Sequence, residues 1–252
     1  MAAEEFTNRD LKGSHFTQVD LSESRFHDIY LRDVRITGAW IIDMDIDAMI
    51  EGSFLVNGVD VVPYVEAELN ARHPGREVVF AVREGDADSF RAAWAVDQAA
   101  WERTVERARQ LPEEKLHESV DGEWSFIQTL RHLLMATESW ILRALQGDPS
   151  PWHPLSLPFT EMGDIPTVPN DPDARPTLDE VLALRADRMA AVSKVIEDLT
   201  DEQLAGTTEP VLEVGYPESE AFPVRRCIEA VVIEEWEHHL FANRDLAVLE
   251  TS

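Results

Sequence analysis

Large apolar side chains recur at every fifth position near the start of the chain: Phe6, Leu11, Phe16, Leu21, Phe26, Leu31, Ile36, Ile41 and Ile46. A period of about five matches neither an α-helix, at about 3.6, nor a strand, at about two. Two residues before several of these stand small or β-branched ones, namely Ser14, Val19, Ser24, Val34 and Ala39, and the flanking positions are mostly polar. A square coil satisfies this pattern. Each side turns one large residue and one smaller neighbour inward and leaves the rest to water.

The stretch resembles the pentapeptide-repeat family, whose right-handed quadrilateral β-helix makes each coil from four such repeats. Roughly forty residues give about two coils, which is short, because solenoid units bury their faces on neighbours and need capped ends. This segment, residues 1–60, is expected to pack on the rest of the chain, and its exposed ends are candidates for homodimer formation or docking.

After GSFLVNGVDV the pattern changes. Pro63 stands at a plausible first helical position of PYVEAEL, and HPGR at 73–76 ends that helix. The apolar run VVFAV at 78–82 reads as a short strand and Gly85 to Ser89 as a linker, so 61–87 forms a connecting region. From residue 88 to 252 the pattern is helical. Phe90, Trp94, Trp101, Val105 and Ala108 mark one apolar stripe, stopped before Pro112. A second helix runs from about Trp124 to Leu145, a third from Thr177 to about Leu199, and a fourth from about Pro223 to Leu249. Thr177 and Glu180 form a capping box at the start of the third. Four such helices predict a bundle. The fold class is therefore α+β, mainly α. The connection at 147–176, rich in proline and containing PWHPLSLPF, is of a length that tends to be functional, and Trp152 and Phe159 predict that it docks on the bundle.

The fourth helix contains EEWEHH at 234–239, which offers two carboxylate–imidazole pairs one turn apart: Glu234 with His238, and Glu235 with His239. On a wheel at about 100° per residue with Ile228 at zero, Val232 and Leu246 define the apolar face. Glu235 and His239 fall at about 340° and 20°, in its centre, while Glu234 and His238 fall at its margin. A buried carboxylate is costly unless paired or bound to a cation. The inward pair therefore needs a partner. A metal ion is one candidate, and a simple Glu–His hydrogen bond that knits the bundle is the other. Imidazole plus carboxylate suits zinc, with nickel, iron or manganese as further options. A third ligand must come from another helix or loop, with His117, His132 and His153 available. His132 shares a mixed face with Ser125, Gln128, Met135 and Ser139.

The formal net charge is −27, from 22 Lys+Arg against 49 Asp+Glu. That field repels phosphate backbones and argues against nucleic-acid binding. No apolar stretch approaches about 18 residues, so no membrane span is expected. MAAEEFTNRD lacks both a basic region and an apolar run, so no signal peptide is expected. The single Cys227 excludes an intrachain disulfide and fits a cytoplasmic protein; on the wheel it reads as a packing residue.

Together WSFIQTLRHLLMA, PWHPLSLPF and EEWEHHLFANRDL resemble the DinB-like four-helix bundles, over about residues 88–250. The resemblance implies a divalent metal held by a His of the second helix and a pair from the fourth. In the maleylpyruvate isomerase branch that pair is Glu-x-x-x-His, which gives His132, Glu235 and His239 here. It also implies a metal-assisted S-transferase that uses a low-molecular-weight thiol such as mycothiol or bacillithiol against a small electrophile. Arg225 and Arg226 are candidate anchors for anionic groups of the thiol. The isomerase branch carries a separate C-terminal domain and no N-terminal repeat segment, so maleylpyruvate isomerisation itself is not the expected activity. Two alternatives remain at this stage: a non-catalytic metal-binding scaffold that docks through the repeat segment, and a metal-assisted hydrolase.

Overall fold

A computed structural model describes all residues except 1–3, 28, 47, 49, 51 and 161. The chain divides into two compact units, Met1–Met49 and Ile50–Ser252.

In the first unit the five-residue period is written in the backbone. Asn8, Gly13, Gln18, Glu23, Asp33, Gly38 and Asp43 all have positive φ, at five-residue intervals but for residue 28, which lies outside the described set. Turns close with Ser14 N donating to Leu11 O and Ser24 N donating to Leu21 O. Ahead of them, the Asp10 and Asp20 carboxylates accept from the amides of Lys12 and Ser22. Such local carboxylate-to-amide bonds favour turns over ladders. The β-helix strands expected here are not formed among the described residues. The large apolar side chains are exposed as well, Phe16 by 65% and Phe26 by 64%. A β-helix coil would bury its inward residues only on a neighbouring coil, and a segment of this length would provide about two.

The second unit is mainly helical. It opens with a hairpin, β1 (Leu55–Val56) paired antiparallel to β2 (Val59–Asp60). Asn57 and Gly58 both have positive φ, as a two-residue hairpin turn requires. Then follow α1 (Val62–Arg72), with Pro63 in its first turn, and α2 (Arg76–Phe80), which tightens into a 3₁₀ turn at Ala81–Arg83. The run 78–82 is thus helical, not the expected strand. A short apolar run is compatible with either, and Val79 and Val82 are buried as successive helical positions against Phe90 and Trp94.

The bundle consists of α3 (Ala87–Ala108), α4 (Phe126–Thr137), α5 (Leu178–Asp198) and α7 (Val224–Leu249), with one short turn, α6 (Asp201–Leu204), before the last. The expected linker at 85–89 contains the N-cap of α3, where the Asp86 carboxylate accepts from Ser89 N. Helix α5 opens with the Thr177–Glu180 capping box, a device whose loss costs about 1 kcal/mol. α3 packs on α7, and α4 on both α5 and α7. One core layer gathers Phe90, Ile141, Ile228 and Val232; the other gathers Trp101, Leu130, Val181 and Leu246. Each such side chain contributes about 1.5–3 kcal/mol by leaving water.

Helix α4 continues from Glu138 to Leu145 as a widened π turn, a feature often found at functional sites. Its charged residues hold the long connection at 147–176. The buried Arg131 guanidinium donates to the carbonyls of Leu155, Asp171 and Ala174. Glu138, fully buried, takes a two-nitrogen ion pair from Arg188 and accepts from Ser156 Oγ and the His153 amide. Arg143 donates to the carbonyls of Pro149 and Glu213. The connection is thus docked on the bundle by charged hydrogen bonds as well as by Trp152, which packs with Met135 and Val168. Replacing Arg131 by Met should take the donor from three part-buried carbonyls and cost about 1–3 kcal/mol. Urea denaturation should show that loss, and limited proteolysis should cut within 155–174 well before the wild type is cut there.

Candidate metal centre

Three side chains converge between α4 and α7. His132 Nε2 lies 3.7 Å from Glu234 Oε2, and His238 Nε2 lies 3.1 Å from the same oxygen. Among the described residues, His132, Glu234 and His238 form a group whose ligand atoms all lie within 4.8 Å of one another. Bonds of about 2.1 Å in a tetrahedral zinc site would place ligand atoms roughly 3.4 Å apart, so the spacing fits. The donor set, two imidazoles and a carboxylate, suits zinc and leaves room for a fourth ligand.

Each ligand is positioned by its element. His132 is buried in the middle of α4, and its Nδ1 lies 3.1 Å from the Leu157 carbonyl, which can only accept. That bond puts the proton on Nδ1 and turns the Nε2 lone pair toward Glu234. Such outer contacts orient metal-binding imidazoles generally. The amide of Leu157 in turn donates to the Arg131 carbonyl. Glu234 and His238 are one turn apart on α7. Burial pushes the Glu234 carboxyl up, but the imidazoles of His132 and His238, when protonated, outweigh it and hold the group well below the usual range. Trp124 covers the cluster, its ring 4.5 Å from that of His132 and stacked on His238 at 5.9 Å.

The inward pair Glu235 and His239 is therefore not the pair that meets His132. Glu235 is buried as the wheel requires, at 1% exposure. Its cation is the guanidinium of Arg185 on α5, which donates to both carboxylate oxygens at 3.2 and 2.7 Å. The signal for this partner stands in the sequence. Arg185 interrupts the buried stripe Leu178, Val181, Val192, Ile196 of α5 at helical spacing. His239 turns to α3, edge-on to Trp101 at 6.0 Å, with its Nδ1 buried and unpartnered. Burial, with the nearby charges of Arg103 and His73, brings its pKa down to about 4. Beside Glu235, Asp97 is buried with both oxygens unpartnered. Desolvation, then the charge of Glu235, raises its carboxyl well above the ordinary value.

The two arginines separate. Arg225 is spent on the fold, donating at 2.6 Å to the carbonyls of both Val82 and Gly85, so it is not free to anchor an anion. Arg226 lies two turns before Glu234, over the rings of Trp140 and Phe222. Tyr216 sits within electrostatic reach of both Arg226 and Glu234, and packs edge-on to Trp140 and Phe159. His117 and His153 do not join the cluster: His153 belongs to the loop that Glu138 holds. Cys227 is buried against Ala144 and Phe222, and burial pushes its thiol up to about 11, so it stays protonated.

A profile described as DinB superfamily matches residues 97–242, the segment that carries all three converging side chains. No curated protein and no solved structure matches the chain.

Two outcomes follow from this geometry. Arg185→Met strands a buried carboxylate and should cost about 3–5 kcal/mol in chemical denaturation, most of it regained in Arg185→Met/Glu235→Leu. For His239 the folded state favours the neutral ring, so its contribution to stability is whole above pH 6.5 and is lost as pH falls toward about 4. A His239→Gln variant should lose less stability than wild type across that window in a pH series of urea melts.

Proposed function

The chain belongs to the DinB superfamily, and from that premise we propose that it is a metal-dependent enzyme of small molecules, transferring a low-molecular-weight thiol to an electrophile. The observation that carries this reading is the convergence of His132, Glu234 and His238, with the His132 proton fixed on the far nitrogen by Leu157. These three residues, rather than the set with Glu235 and His239, would hold the ion. Zinc suits them best, with nickel, iron or manganese as alternatives. When bound, such an ion supplies a Lewis-acid position that keeps a small thiol, of the mycothiol or bacillithiol kind, as thiolate at neutral pH.

The protein's own groups do the rest. Glu234 contributes a carboxylate that stays ionised, and Leu157 keeps His132 in one tautomer. Trp124 shields one side of the cluster from water. Arg226, backed by Trp140 and Phe222, offers a cation for an anionic group of the thiol or electrophile, and Tyr216 a hydroxyl beside it. The setting that fits this chemistry is the cytoplasm. Among the described residues no helix is long and apolar enough to cross a membrane.

The first unit supports a second, compatible role. Its positive-φ residues at five-residue intervals support reading it as a pentapeptide-repeat coil, and its exposed Phe16 and Phe26 support docking on a second copy. Phe16→Ser/Phe26→Ser in the full chain should then lower the mass measured in solution to that of a monomer while leaving metal content intact.

Metal analysis of purified protein tests the main reading. His132→Ala and His238→Ala should each lower stoichiometric metal to about a tenth or less, and His239→Ala should leave it unchanged. Full metal in both of the first two variants would end the proposal. Calorimetry of the metal-loaded protein with mycothiol, bacillithiol, glutathione and no thiol separates sulfur transfer from hydrolysis, since a hydrolase should bind none of the three.

A further inference from the structure

On the side of α7 away from the metal cluster lies a second cleft of about 500 Å³, lined by His73 after α1, by α3 and by α7. That volume is ordinary for a small-molecule site. Its composition is not ordinary for this chain. Arg103, Arg107 and Arg244 line it together with His73 and His239, and no carboxylate is among the lining residues, although Asp and Glu outnumber Lys and Arg by 49 to 22.

The charges in the cleft are not equally available. Arg107 is held by a two-nitrogen ion pair with Glu250 at 2.5 and 2.8 Å, and by the side chain and carbonyl of Asn243. Arg244 is paired with Asp245 at 2.7 Å. Asn243 in turn donates to Thr104 Oγ1 at 2.8 Å. These residues make a rigid polar floor. Against it, the exposed Arg103 guanidinium and the His73 ring make no hydrogen bond or ion pair among the described residues. His239 adds a ring nitrogen that is buried without a partner. Ala100 and Leu240 supply a small apolar surface between them.

We propose that this cleft binds a small oxyanion-bearing molecule, a phosphate ester or a carboxylate, with Arg103 as its principal grip. The planar guanidinium fork matches both groups through paired N–H donors. The strongly negative chain does not forbid this. At physiological salt, charges more than about 8 Å away are largely screened, so the guanidinium inside the cleft governs the local field. The site is separate from the metal cluster, which uses Glu234 and His238 on a different side of the same helix.

Isothermal titration calorimetry of the full-length protein, as purified with its metal, with phenyl phosphate and with succinate tests this at about 0.15 M salt. Saturable binding of at least one is expected. It should weaken by about tenfold or more in Arg103→Ala, less in Arg103→Lys, which keeps the charge but not the fork, and little in His238→Ala. The tighter of the two probes identifies the oxyanion. Because Arg103 is exposed, its substitution should leave the melting temperature unchanged. Failure of both probes to saturate would overturn the proposal, as would equal affinity in Arg103→Ala. Binding that disappears in His238→Ala while surviving Arg103→Ala would place the anion at the metal centre and overturn it equally.

Discussion

The buried ion pair between Glu235 and Arg185 fixes how α7 is turned about its own axis, and the rest of the site depends on that rotation. Keeping a carboxylate ionised at 1% exposure is costly unless a cation stands beside it, and the guanidinium that meets Glu235 comes from α5. Adjacent helical residues point about 100° apart. With Glu235 committed to α5, its neighbour Glu234 is directed to α4, and His238 follows one turn later. The same setting sends His239 and Asn243 toward α3. A single interior pair therefore sorts the two histidines of EEWEHH into different environments, one in the candidate metal cluster and one in the cationic cleft. Trp101 reinforces the arrangement, donating its indole N–H to the Glu235 carbonyl and carrying Arg185 over its ring.

Much of the bundle is legible in the residues. Helix limits follow from Pro63, from the Thr177–Glu180 box and from Pro223 ahead of Val224, all of which act within one turn. The burial of Glu235 is legible too, because periodicity measures which face is inward. What periodicity omits is the identity of the neighbour. A wheel shows that a buried carboxylate needs positive charge but treats every source of it alike, and Arg185, fifty residues away, is seen only when the stripe of α5 is compared with that of α7. The same limit explains the run at 78–82. Five apolar residues carry no period, and the outcome is set by Gly75, whose positive φ starts α2 and whose missing side chain admits Val96 and Trp236. The recurrence at residues 6–46 is plain in the sequence, yet among the described residues its expected strands are not formed, because hydrogen-bonded ladders need adjacent coils that a segment of this length scarcely provides.

Charge in this protein has to be read at two scales. Over the whole molecule the excess of carboxylates is solvated and screened. Inside the bundle, individual cations decide structure. Arg131 and Arg143 are spent on backbone carbonyls, and Arg188 on Glu138. Arg107 is fastened to Glu250, near the end of α7. Against that background Arg103 stands apart, since it makes no hydrogen bond or ion pair among the described residues.

Leu157 meets α4 through both its amide and its carbonyl, at two consecutive residues, Arg131 and His132. The loop therefore forms part of the wall behind the His132, Glu234 and His238 cluster rather than a cover laid over it. Transplanting the three converging side chains onto another helical scaffold would reproduce their spacing without the proton arrangement that makes one of them a donor. The transferable unit is larger than a triad: it is two helices together with the proline-rich strap that reads the back of an imidazole.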